Sequence, residues 1–155
     1  MYAQILVPLD GSRFSEQALP YALEIARRSH ALVHLVKVHS ITPLPSPYLD
    51  SGSYLNSQFD AELRQGEVEY LERLAAGLPG DGANIHCAVV EGPVVNALEA
   101  YVQDAGITMI VMTTHGRGGV ARWFLGSVAE DVLRRATVPV LLIRSEVVKR
   151  AEPAG

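Results

Sequence analysis

Five short apolar runs alternate along the chain with stretches whose apolar residues recur at helical spacing, and few folds accept that order. Residues 3–9 (AQILVPL) are nearly continuous apolar, as a strand covered on both faces of a parallel sheet must be. Asp10-Gly11-Ser12 ends the run. Residues 15–29 then place Ala18, Leu19, Ala22, Leu23, Ile25 and Ala26 at helical spacing, with Arg27 and Arg28 in the last turn, where cations suit the macrodipole. Residues 31–38 (ALVHLVKV) are rich in β-branched side chains and complete a βαβ unit. The same reading predicts a helix over 59–78 carried by Leu63, Val68, Leu71 and Leu74, a strand over 84–90, and a helix opened by Gly92-Pro93 and ended by Gly106. A strand over 107–112, a helix over 127–136 and a last strand from Val138 to Arg144 follow. The expected fold is α/β: an open five-stranded parallel sheet with right-handed crossovers and helices on both faces. In the order 3-2-1-4-5 the first and fourth strands meet at a switch point, beyond whose carboxyl ends ligands bind.

The length, 155 residues, suits one domain, assigned to residues 1–146 with a solvated tail over 147–155. Residues 40–57 hold Pro43, Pro45, Pro47, Gly52 and several serines, which reads as a flexible loop. A net charge of -4 offers no positive field to nucleic acid or an anionic membrane, so neither is an expected partner. Cys87 is the only cysteine, which excludes an internal disulfide and a CxxC pair. The opening MYAQILVPLDGSR meets Pro8, Asp10 and Gly11 before a signal-length apolar core accumulates, and no later run reaches membrane-spanning length; the cytoplasm is the expected compartment. The five histidines, at 30, 34, 39, 86 and 115, show no metal-ligand spacing, and no metal is assigned.

The stretch between the fourth strand and the last helix carries the strongest chemical signal. It reads Thr113-Thr114-His115-Gly116-Arg117-Gly118-Gly119, then Gly126-Ser127 at the start of the helix. Glycines permit positive φ and close backbone approach, so amides there can converge on an anion, and a helix start offers more of them. Two plainer readings stand beside this one. Ser127-Val-Ala-Glu130 fits a capping box, and Asp10, between strand and helix, fits an N-cap. The spacing matches neither GxGxxG nor GxxxxGK[ST], which disfavours dinucleotide and P-loop chemistry.

Gly116, nine residues, then Gly126-Ser127 before a helix and a VPVLLIR strand resembles the nucleotide-binding branch of the universal stress protein family. The start, ILVPLDGS from Ile5 to Ser12, and the fourth strand ITMIVMT are similar to the family's as well. The resemblance implies a Rossmann-like fold of the adenine nucleotide alpha hydrolase type and a small regulatory protein acting in stress response without being an enzyme. It implies that Pro8, Asp10 and the Val38 backbone border adenine and ribose, while Thr113, Thr114, His115, Gly116, Arg117, Gly118, Gly119, Gly126, Ser127, Val128 and Ala129 surround ribose and phosphates. The implied ligand is ATP, with AMP or another adenine nucleotide as variants and magnesium accompanying ATP. The implied partner is a second copy, paired antiparallel through the last strand. One position departs: the family's pattern has a glycine where this chain has Thr113, whose side chain narrows the space beside the ribose. The alternative is therefore a family member that binds no nucleotide and serves as a dimerisation or chaperone-like module.

Overall fold

The computed structural model describes residues 2–40, 52–79, 84–114 and 126–144, with the backbone alone for 52–57. Five parallel strands, β1 (Gln4–Leu9), β2 (Leu32–His39), β3 (Ile85–Glu91), β4 (Met109–Thr113) and β5 (Val140–Ile143), form one sheet in the order β3-β2-β1-β4-β5, as expected. The helices are α1 (Arg13–Glu16), α2 (Leu19–Ser29), α3 (Gly52–Ala76), α4 (Val94–Asp104) and α5 (Ser127–Arg135).

Strand parity divides the core into two layers. Ile5, Val7, Leu9, Val33, Leu35, Met109 and Val111 pack on one face under α2 and α3, with Leu19, Ala22 and Leu71. Leu6, Val36, Ile110 and Met112 pack on the other under α4 and α5, with Leu98, Val102, Ala129 and Val132. Central strands bury both faces, so their sequences carry no polar alternation.

Three features differ from the sequence expectation. The first helix is broken into α1 and α2 around Gln17 and Ala18. Pro20 is the cause: it has no N–H for the Glu16 carbonyl and its ring crowds that group, so it sits at the start of a new helix. Helix α3 begins at Gly52, so residues 52–57, expected as loop, are helical. Pro47 is the last proline before it, and extending an existing helix through low-propensity residues costs under about 1 kcal/mol each. Finally, Leu63, expected on the apolar stripe of α3, is 49% exposed. The inward stripe runs instead through Asp60, Arg64, Glu67, Leu71 and Leu74, charged in its first half and apolar in its second. The rest of the expected loop, 41–51, and the tail lie outside the described residues.

Candidate functional site

The carboxyl ends of β1 and β4 lie side by side at the topological switch point of the sheet, where such folds have their opening. The Gln4 carbonyl accepts from Thr108 N–H at 2.9 Å, so residues of the same parity, Leu6 and Pro8, direct their backbone groups towards β4. Pairing between β1 and β4 stops at Leu6↔Ile110, although β1 runs on to Leu9 and β4 to Thr113. Pro8 has no N–H with which to continue the ladder. The β1–β2 ladder, on the other parity, runs through to Leu9↔Lys37.

Beyond β1 the chain makes a tight polar turn. Gly11 takes φ +83°, which a side chain would disfavour, and Asp10 Oδ1 accepts the Ser12 N–H at 2.9 Å. Ser12, not Asp10, caps α1: its Oγ accepts from Ser15 N–H at 3.2 Å. The Ser15 hydroxyl is buried and donates to the Ser12 carbonyl at 2.8 Å while the Asp10 N–H reaches it at 3.4 Å. Asp10 is thus positioned by a hydrogen-bonded turn on α1, and α1 packs against β4.

Across the opening, Thr113 ends β4 at 6% exposure, on the face it shares with Met109 and Val111. Thr114 donates its N–H to the Ile143 carbonyl at 3.0 Å, and its own carbonyl accepts from Gly126 N–H at 2.8 Å. That second bond sets the start of α5 beside the end of β4. Gly126 is the N-cap of α5, with extended backbone at φ -61° and ψ 148° and no side-chain cap. The capping box therefore does not form: Ser127 is the first helical residue, and Glu130 pairs with Arg134 at 3.0 Å. The first intrahelical bond runs from Glu130 N–H to the Gly126 carbonyl at 2.9 Å, so the amides of Ser127, Val128 and Ala129 face out of the helix start. Ser127 and Val128 are exposed, and Ala129 is buried.

Of the expected site residues, Pro8 and Asp10 come from β1 and the turn after it, Thr113 and Thr114 from the end of β4, and Gly126, Ser127, Val128 and Ala129 from the start of α5, the three elements that flank this opening. Val38 stands on β2, one position past the last β1–β2 pair. His115, Gly116, Arg117, Gly118 and Gly119 lie outside the described residues. What such an arrangement can do is bind an anion by backbone donors: the helix start, without a side-chain cap among the described residues, brings oriented N–H groups and the positive end of its dipole, with the Ser127 hydroxyl beside them.

The model of the universal stress protein family matches residues 1–144 of this sequence. The chain belongs to the universal stress protein family. Universal stress protein MJ0531 of Methanocaldococcus jannaschii is 31% identical over 93% of this chain and 83% of its own length. Among solved structures, the universal stress protein UspA from Lactobacillus plantarum is 26% identical with a TM-score of 0.71, covering 92% of this chain and 98% of its own. A universal stress protein solved in complex with cAMP is 26% identical with a TM-score of 0.63, covering 94% of this chain and 99% of its own.

A second polar constellation, at the carboxyl edge of β2 and β3, was not foreseen. His39, 3% exposed at the end of β2, has Nε2 2.9 Å from Asp60 Oδ1 and Nδ1 2.8 Å from Glu67 Oε2, both carboxylates on α3. Lys37 Nζ reaches Glu67 Oε1 at 3.1 Å, and Arg64 pairs with Glu91 of β3. The bond to Asp60, opposed by burial and aided by Glu67, holds the His39 imidazole above the usual histidine range. A further turn along α3, the Tyr70 hydroxyl donates to Glu16 Oε1 of α1 at 2.9 Å. Burial, Glu16 and the Asp10 charge push that phenol upwards.

Proposed function

We propose that this universal stress protein is a cytoplasmic regulatory protein that binds ATP in the opening between β1 and β4, without consuming it rapidly, and works as a homodimer. The observation that carries the reading is the start of α5, which no side chain among the described residues caps, tied by the Thr114–Gly126 bond to the mouth of the opening. In this reading the amides of Ser127, Val128 and Ala129, with those of Gly116, Gly118 and Gly119, hold the phosphates, and His115 and Arg117 lie beside them. Pro8, Asp10 and the Val38 backbone border ribose and adenine. The cAMP complex of a relative supports an adenine nucleotide as the ligand class. The sequence has no GxxxxGK[ST] lysine, so nothing familiar from P-loop hydrolysis drives turnover, and magnesium would arrive with the ATP. Among the described residues no helix is long and apolar enough to cross a membrane.

The dimer part of the reading rests on β5. It pairs with β4 alone among the described strands, and all four of its residues are half-buried. An apolar edge of this kind invites pairing with a second copy. Val140→Lys is expected to halve the mass measured by light scattering at low concentration; an unchanged mass contradicts the assignment.

Calorimetry tests the ligand. ATP should bind the parent with micromolar affinity, about -8 kcal/mol, and Gly126→Arg should weaken it by roughly 100-fold, about 2.8 kcal/mol, at unchanged melting temperature. Binding that survives the substitution in a folded protein places the phosphates elsewhere. Thr113 favours a second reading, the nucleotide-free dimerisation or chaperone-like module, because the family's pattern has glycine there. If Thr113→Gly creates ATP binding that the parent lacks, the second reading is the right one.

A further inference from the structure

His39 lies between two carboxylates, and this geometry dictates its protonation state. A neutral imidazole has one N–H and one lone pair, so it can satisfy only one of two carboxylate oxygens at 2.8 and 2.9 Å. The other nitrogen would turn its lone pair on a negative oxygen, in a position where the ring is 3% exposed. With both carboxyl groups ionised, both contacts are attractive only in the imidazolium, as two charge-assisted hydrogen bonds. With both nitrogens occupied by carboxylates, no lone pair remains for a metal.

The charges around the ring agree. From α3 it is faced by Asp60, Arg64 and Glu67, from its own strand by Lys37, and from β3 by Glu91, its register partner. From the β1–α1 side, Asp10 and Glu16 face Tyr70 of the same helix. The immediate cluster, Asp60, Glu67 and Glu91 against Lys37 and Arg64, has one negative charge in excess, and a protonated His39 cancels it.

The cluster is also where α3 changes its mode of attachment. The second half of the helix is anchored by Leu71, 0% exposed, with Leu74 and Ala75 packed on the same core. In the first half, Phe59 and Leu63 are exposed at 54% and 49%, and the groups that bond to the strand ends are the charged ones. Arg64 and Glu91 are about half exposed, so their ion pair adds little.

We propose that His39 is a proton-operated latch that fastens the first half of α3 to the carboxyl edge of β2 and β3 and releases it when the ring loses its proton. The sign follows from linkage. Because the imidazole's folded value is raised above the ordinary 6.5, the latch stabilises fully below that pH and is lost as pH rises through the folded value. Release follows deprotonation of the ring, as pH rises through that raised value, and leaves the Leu71 anchor in place. The proposal does not depend on nucleotide binding.

Two measurements test it on the intact protein. Imidazole nitrogen and carbon shifts should show His39 predominantly doubly protonated at pH 6.5, and Asp60→Asn should move its titration down towards that value. Amide hydrogen exchange, corrected for the intrinsic pH effect, should show residues 60–67 opening roughly tenfold more, about 1.4 kcal/mol, once His39 is deprotonated. Residues 71–76 should be unchanged over the same pH step, and His39→Gln at pH 6.5 should reproduce the alkaline pattern. A His39 that is mostly neutral at pH 6.5 overturns the proposal, as does equal protection of 60–67 on both sides of its titration. If His39→Gln does not fold, the parent's pH step and Asp60→Asn, at a site 42% exposed, decide alone.

Discussion

Two corners of the same sheet edge meet solvent in opposite ways. Above β2 and β3 the ladder runs in register to His39↔Glu91, and α3 crosses it with carboxylates set on the last strand residues. Above β1 and β4 the ladder stops at Leu6↔Ile110, and the space beyond is bordered by a polar turn and a helix start. All five strands run parallel, so the carboxyl edge is equally available at every strand. Whether a stretch of it becomes a brace or an opening depends on where pairing ends and on what the covering helix presents. A proline in a central strand opens one corner; a histidine and a lysine answered by two carboxylates close the other.

The largest expected effect is on the braced side. Leu71 is fully buried between α3 and the sheet, and Leu71→Ala should cost about 2–5 kcal/mol in denaturant unfolding. A loss below 1 kcal/mol would mean that α3 is held by its charges rather than by its apolar half. On the open side, Pro8→Val gives β1 the N–H towards β4 that proline lacks. Extending the ladder by one bond should change stability by only about 1 kcal/mol, while ATP affinity falls as the mouth narrows. Unchanged affinity would dissociate the proline from the opening. The smallest effect belongs to Ser127→Ala. An N-cap serine would cost about 1 kcal/mol, but Ser127 is the first helical residue, so unfolding free energy should shift by under about 0.5 kcal/mol while ATP binding weakens modestly.

The open corner was largely legible in the sequence and the braced corner was not. Continuous apolar runs such as that of residues 3–9 reveal strands buried on both faces, and their alternation with helices implies a parallel sheet; the order 3-2-1-4-5, and with it the crevice between β1 and β4, is the one expected for such folds rather than one the alternation fixes. Asp10 and Ser127 were flagged because turn and helix-start chemistry is local, although both caps fell one or two residues away, on Ser12 and Gly126. The His39 cluster joins residues 21 and 28 positions apart across a strand and a helix, and no spacing rule links them. Its trace in the sequence is a helix stripe that turns from Leu71 and Leu74 to Glu67, Arg64 and Asp60. Leu63 drew the reading onto the neighbouring stripe, and the polar ends of β2 and β3 are what made the charged stripe the inward one.

Amide shift mapping with ATP tests the central claim most directly, since it compares both corners in one experiment. The account predicts saturable changes at Asp10, Thr113, Thr114 and the amides of Ser127, Val128 and Ala129, with residues 60–67 and His39 little affected. Saturable binding whose changes fall on α3 and the His39 corner, with the start of α5 silent, would contradict it.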